Sequence, residues 1–282
     1  MEDSTKMDRI SDLPDELLCH ILSFLPTKIA FTTRVLSKRW TPLFHSLTIL
    51  RFDDETVHDY AAIDRFCGFV DTLMNSPRLS DQSIKTFSLK CRFVLSDHIF
   101  DSWVEAAKRR CIEEFHLSMA ASIWNDRIFT SQTLVVLKLD RLRVEAENLR
   151  GDLPSLKILS LRLVYFKNQK ALQQLLNASP NLEDLRTNGI LYIKRYESIV
   201  NSLSLASLVR AEIGAIDVPY NVVNNVEFLC LAGNIIFKSF PVFPNLIHIN
   251  LQYYCFFHGW DGIVQLLQHC PKLQILFISK VC

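Results

Sequence analysis

From residue 84 onward, apolar side chains recur at the first, fourth and sixth positions of successive units. The units open Ile84-Phe87-Leu89, Ile112-Phe115-Leu117, Leu134-Leu137-Leu139, Leu156-Leu159-Leu161 and Leu182-Leu185-Thr187. They continue Leu208-Ala211-Ile213, Val226-Leu229-Leu231, Leu246-Ile249-Leu251 and Leu273-Leu276-Ile278. That makes nine units whose starts lie 28, 22, 22, 26, 26, 18, 20 and 27 residues apart. Side chains alternate along a strand, so positions 4 and 6 share an inward face while 3, 5 and 7 point outward. One such unit cannot bury its own apolar face. Stacked units bury it jointly, which requires a shared core under a parallel sheet.

L-x-x-L-x-L at periods of about 20–29 residues is the leucine-rich-repeat signature. The fold class is therefore α/β: residues 84–282 form an irregular solenoid with a curved parallel sheet. Pro154, Pro180, Pro244 and Pro271 each stand two residues before the first Leu of a unit. A proline there ends the preceding segment and favours an extended entry into the strand. Residues 98–110, 168–177 and 261–269 have helical spacing, whereas the 18- and 20-residue periods leave room only for a turn or loop.

Residues 9–44 read RISDLPDELLCHILSFLPTKIAFTTRVLSKRWTPLF and divide into three short helices. Pro14 suits a first helical turn, and Asp15 and Glu16 suit the positive end of its dipole. Leu17, Leu18, Ile21, Leu22 and Leu25 then form an apolar stripe that Pro26 ends. Thr27 is placed to cap a second helix, Lys28 to about Leu36, and Ser37 a third carrying Trp40 and Phe44. Helices this short need tertiary packing. Their apolar content exceeds what a three-helix core requires, and an exposed apolar patch marks a protein partner. Burial of the whole subdomain against the rest of the chain is the alternative.

The run LPDELL…ILSFLPTK…VLSKRW resembles the F-box of plant F-box proteins. The resemblance implies a docking module for the Skp-type linker subunit of a cullin–RING ubiquitin ligase, bound through Leu13, Pro14, Leu17, Ile21, Leu22, Val35, Ser37 and Trp40. The irregular repeat periods resemble those of plant F-box/LRR proteins. The expected organisation is a disordered lead at 1–8, the F-box at 9–50, a linker with a helix at 51–83, and the repeats at 84–282. Within 59–75, Ile63, Phe66, Phe69, Val70, Leu73 and Met74 have helical spacing. Many plant relatives continue into a C-terminal FBD domain. The sequence here ends soon after Ile278, and its last unit is expected to be frayed or covered by a partner.

Composition narrows the function. The chain has 49% apolar and 22% charged residues and a net charge of +1, a globular composition without the basic excess of a nucleic-acid binder. Only 7 glycines occur. No secretory h-region and no apolar run long enough to span a membrane is found. The eight cysteines contain no C-x-x-C pair, which suits reduced thiols in the cytoplasm or nucleus. Scattered histidines form no metal motif, and neither a nucleophile elbow nor a phosphate loop is present. No catalytic residue, metal or cofactor is expected.

The outward strand positions carry the remaining information. Units 3 to 6 display Lys138, Asp140, Arg162, Asp184, Arg186, Arg210 and Glu212, where acids interleave with a column of cations. Cross-strand charge pairing explains that better than a phosphate site. His116 lies on the same outward face. Units 7 to 9 display Phe228, Cys230, His248, Asn250, Ile275 and Phe277, a more apolar end. Arg162, Arg186, Arg210, Phe228, His248, Asn250 and Phe277 are the candidate substrate face, unless another element covers it. The expected function is the substrate-recognition subunit of a Skp–cullin–F-box ligase with an unknown protein substrate. A non-ligase F-box/LRR scaffold or competitor is the alternative, and a small-molecule receptor is a weaker third.

Overall fold

The computed structural model describes residues 10, 12–55, 57–76, 82–93, 95–123, 127–193, 205–214, 217–233, 240–253 and 261–280. The expected disordered lead lies outside them. Three N-terminal helices, α1 (Asp15–Phe24), α2 (Thr27–Thr32) and α3 (Trp40–His45), are joined by a 3-10 turn at Thr33–Val35 and lead into β1 (Ile49–Asp53). Then follow α4 (Tyr60–Met74), β2 (Thr86–Cys91), α5 (Asp97–Arg109), β3 (Glu114–Ile123), β4 (Val136–Val144), β5 (Ile158–Arg162) and β6 (Tyr165–Phe166). The chain continues through α6 (Gln169–Asn177), β7 (Asp184–Asn188), β8 (Leu191–Tyr192), β9 (Arg210–Gly214), β10 (Phe228–Ala232), β11 (His248–Tyr253), α7 (Asp261–Gln268) and β12 (Ile275–Lys280).

One parallel sheet runs β1-β2-β3-β4-β5-β7-β9-β10-β11-β12, as the repeat phase requires. Leu137, Leu159, Leu185, Ala211, Leu229 and Ile249 stand side by side in the register and are wholly buried. Helices α5, α6 and α7 fill the long connections, and 3-10 turns at Arg127–Phe129 and Tyr220–Val223 occupy shorter ones. The prolines play a more specific part than an extended entry. The Leu156 amide donates to the Leu153 carbonyl at 3.2 Å, Leu182 to Ser179 at 3.2 Å, and Leu273 to Cys270 at 3.2 Å. Each proline is therefore the second residue of a β-turn, where its fixed φ is already suitable.

The structure departs from the expected linker at 51–83, because β1 begins at Ile49 and is the first strand of the same sheet. Thr27 is the first residue of α2 and not its cap. Its buried hydroxyl accepts from the Arg51 amide of β1 at 2.7 Å, and the Arg51 guanidinium donates to the Ser23 carbonyl. The helical subdomain thus closes one edge of the sheet. Ring contacts run across the junction: Phe44–Phe31 (5.4 Å), Phe31–Phe69 (5.3 Å), Phe69–Phe52 (6.1 Å), Phe52–Phe87 (5.7 Å) and Phe87–Phe115 (5.1 Å). Helix α4, capped by the Asp59 carboxylate on the Ala62 amide at 2.6 Å, supplies Phe69 to that chain.

The middle units carry a second, shorter set of pairings. Arg141 (φ 58°), Leu163 (φ 51°) and Gly189 (φ 77°) each follow aligned residues, Asp140, Arg162 and Asn188, and all three are left-handed. Beyond this kink, β4 pairs with β6 through Arg143–Tyr165 and Val144–Phe166, and β6 with β8 through Tyr165–Leu191 and Phe166–Tyr192. Glycine adopts such a φ without cost; a leucine there does not. Buried Asp217 fastens the last strand of this ribbon. Its carboxylate accepts from the Gly189 amide at 3.1 Å and the Ile190 amide at 3.0 Å, and its carbonyl from the Tyr192 hydroxyl at 3.1 Å.

Candidate partner-binding surfaces

Two surfaces follow from this architecture. On the N-terminal helices, Leu18 and Leu22 form the inward stripe of α1 and pack with Ala30, Trp40, Leu43 and Phe44. Leu17 and Ile21, each one residue earlier, face solvent at 50% and 45% exposure. Val35 on the 3-10 turn is 86% exposed, and Pro14 and Ser37 are also exposed. Leu13 is half-buried. The Arg39 guanidinium donates to the Leu13 carbonyl at 2.6 Å and pairs with Asp15 at 2.6 Å, which holds the entry to α1 against that of α3.

Leu22 and Trp40, expected at the partner surface, belong instead to the core at 1% and 7% exposure. The α1 stripe spans more than half of the helix, and its apolar spacing alone does not say which half faces inward. Three helices this short also need every large side chain they can bury. Phe24, Ile29 and Leu36, which sequence reasoning did not single out, complete the outer surface. The signal for Phe24 was present in the i, i+4, i+7 run from Leu17 through Ile21.

The second surface is the outward face of the sheet. In the register, one row reads Arg51–Ser88–His116–Lys138–Ser160–Arg186–Glu212–Cys230–Asn250–Phe277. Charge pairing is present, across strands at Arg162–Asp140 and within one strand, β7, at Arg186–Asp184. Arg162 binds Asp140 at 2.6 Å, and Arg186 grips Asp184 through both nitrogens at 3.1 and 2.7 Å. The Asp184 interaction raises the already high Arg186 value, and that guanidinium stays charged. Phosphate would have to displace these acids.

Arg210 departs from that pattern. Its guanidinium lies 3.9 Å from the centre of the Phe228 ring, which packs on His248 at 4.5 Å; His248 in turn meets Phe277 at 5.3 Å. The structure thus brings Arg210, Phe228, His248 and Phe277 into one stack. Arg162 and Arg186 lie in the separate ion-paired region. Asn250, in the row between Cys230 and Phe277, has a buried Oδ1 that no donor reaches, and Arg210 Nε is buried without an acceptor.

Among the described residues, no group of three or more His, Cys, Asp or Glu side chains is arranged to hold a metal. Burial pushes the Cys91 thiol up to about 12 and those of Cys230 and Cys270 to about 11. Such thiols are protonated near neutral pH and poor nucleophiles. Burial, followed by the charge of Lys138, lowers the His116 value. No helix is long and apolar enough to cross a membrane among the described residues.

Comparison with known proteins agrees with the resemblance read from the residues. Residues 10–52 match the F-box domain. A putative F-box/LRR-repeat protein of Arabidopsis thaliana is 27% identical over 95% of this chain and 71% of its own length. An F-box/LRR-repeat protein of the same plant is 29% identical over 98% of this chain and 74% of its own. An FBD-associated F-box protein, also from Arabidopsis thaliana, is 40% identical over 64% of this chain and 45% of its own length. The chain thus spans between 45% and 74% of these relatives.

Proposed function

We propose that this F-box protein, similar over nearly its whole length to plant F-box/LRR-repeat proteins, is the substrate-recognition subunit of a Skp–cullin–F-box ubiquitin ligase. The observation that carries the reading is the coincidence of the F-box match with an unpartnered apolar surface on α1, α2 and the 3-10 turn. F-box domains generally bind Skp-type linker subunits. In this chain Leu17, Ile21, Phe24, Val35 and Leu36 are the side chains to which such a subunit would dock, with Leu13, Pro14 and Ser37 beside them. Through the linker subunit the chain would reach a cullin, and the outward sheet face would hold a target protein. The chain contributes no bond-making step. Its contribution is to raise the effective concentration of the target near the conjugating enzyme. It would do this in the cytoplasm or nucleus.

The hydrogen bonds of β1 to α1 and α2 and the ring contacts across that junction support this role, because they tie the sheet to the docking helices. Tagged full-length protein recovered from plant cells tests the reading. Linker subunit and cullin should co-purify with it. Leu17→Asp combined with Val35→Asp should cut linker recovery by about tenfold or more, since an interface rarely tolerates buried unpaired charge. Wild-type recovery with that double variant would refute the docking surface. Recovery of the linker subunit without cullin would favour a non-ligase scaffold.

A further inference from the structure

We propose that the short ribbon formed by the end of β4, β6 and β8 is the docking ledge for an extended partner segment bearing a large apolar residue beside acidic ones. The proposal rests on the reading of the repeat array as the target-binding half and gives that target a chemical class.

The ribbon has a buried row and an exposed row. Val144 and Phe166 are buried, with Tyr192 half-buried beside Phe166. The alternate row, Arg143–Tyr165–Leu191, faces outward, with Tyr165 at 39% and Leu191 at 40% exposure. Leu163 and Ile193, one alternation to either side, are exposed as well. Four large apolar side chains on so short a ribbon form a contiguous patch, and such patches mark binding sites. Leu163 is held there in a left-handed conformation that leucine disfavours.

Charge selects the occupant. Arg141, Arg143 and Arg162 border the patch on its β4 side with side chains 44%, 54% and 58% exposed, and Arg141 also donates to the Ser118 hydroxyl at 2.8 Å. Their acidic partners lie deeper: Asp140 is 16% exposed and serves both Arg141 (3.4 Å) and Arg162 (2.6 Å), while Glu145 is 12% exposed and lies 3.9 Å from Arg143. Three guanidiniums therefore meet solvent above two sheltered carboxylates. The Arg143 guanidinium also lies 5.7 Å from the Tyr165 ring centre, which joins the charged and apolar parts. Tyrosine and arginine together are the residues that most often dominate an interface. Guanidiniums with free donors favour carboxylates, and a basic segment would be repelled. The outward row Arg143–Tyr165–Leu191 runs across three adjacent strands, and an extended segment laid along it can reach the charged and the apolar parts together.

The test uses the full chain in complex with its linker subunit and two pools of fluorescein-labelled ten-residue peptides. Each peptide has a central Tyr, Phe, Leu or Ile, flanked by Asp and Glu in one pool and by Lys and Arg in the other. Fluorescence anisotropy should show the acidic pool binding about tenfold tighter than the basic one, with the gap narrowing in high salt. Tyr165→Ser and Ile193→Ser should each weaken the acidic pool, and Arg141→Glu with Arg162→Glu should reverse the preference. Unchanged urea midpoints separate these effects from unfolding. Equal binding of the two pools, or wild-type binding by the ledge variants, overturns the ledge. Linker co-purification is read on the same samples. Its retention alongside failed peptide binding removes the ledge alone, whereas its loss from the wild-type protein removes the ligase reading.

Discussion

Leu17 and Leu22 differ little in chemistry, yet one faces solvent and the other the core, because the rotation of α1 is set by what Trp40 and Leu43 leave to be filled. Single residues decide more than composition does elsewhere in the chain too. Asp217 is a buried carboxylate that takes two backbone amides from the preceding unit. Asp217→Ala should leave both without an acceptor and cost about 2–4 kcal/mol in urea unfolding, with Asp217→Asn costing less. His116 predicts a pH effect. Burial and Lys138, with a smaller part from Arg51, lower its value below the ordinary 6.5, and Glu114 opposes them. The unfolded chain therefore takes up this proton more readily than the folded one. The stability this histidine contributes is complete above about 6.5 and is lost as pH falls from there through the lower folded value. The urea midpoint of His116→Gln should drop less than that of the wild type between neutral pH and pH ~5, where the unfolded histidine is charged; identical drops would contradict the assignment.

Elements were legible in the sequence wherever a period repeats. The nine strands and helices α4 to α7 follow from positions such as Leu137 and Leu139, or Leu172, Leu175 and Leu176, whose spacing repeats because burial demands it. The left-handed kink was not legible. Only Gly189 of its three residues announces a positive φ; Arg141 and Leu163 adopt theirs because their strands must stay in register with it. Nor was β1, since a single short apolar run at Ile49–Asp53 has no periodic partner nearby. The partner surface was half legible: the apolar surplus is a sequence property, but assigning Trp40 to the inside requires the packed neighbours. The junction of α2 with β1 yields its own prediction. Thr27→Val keeps the shape but removes the hydroxyl that accepts from the Arg51 amide. It should cost about 1–3 kcal/mol by leaving a sheltered donor unmet. Hydrogen exchange should accelerate at residues 49–53 and hardly at 158–162. Uniform acceleration would mean that the two halves unfold only together.

At the scale of the molecule, the first and last strands described in the parallel sheet are unlike. The β1 edge is closed by the hydroxyl of Thr27 and the aromatic packing of Phe31, Phe52 and Phe69. Among the described residues strand β12 pairs with β11 alone, and its inward residue Leu276 is 40% exposed where the equivalent Leu159 is 0%. In a stacked array each unit draws stability from its neighbours, so a unit with one neighbour opens more easily than one with two. Alternate amides of an edge strand also point away from its partner. Amides of 275–279 should therefore exchange much faster than those of 158–162. Leu159→Ala acts in the middle, where both neighbours lose packing, and should cost about 2–5 kcal/mol. Because β4, β5 and β7 share that core, the loss should appear as a shifted single unfolding transition. A midpoint that stayed in place while only residues 156–162 lost protection would show the repeats to be independent modules. In that case the tie between the docking helices and the sheet would not extend past the first units.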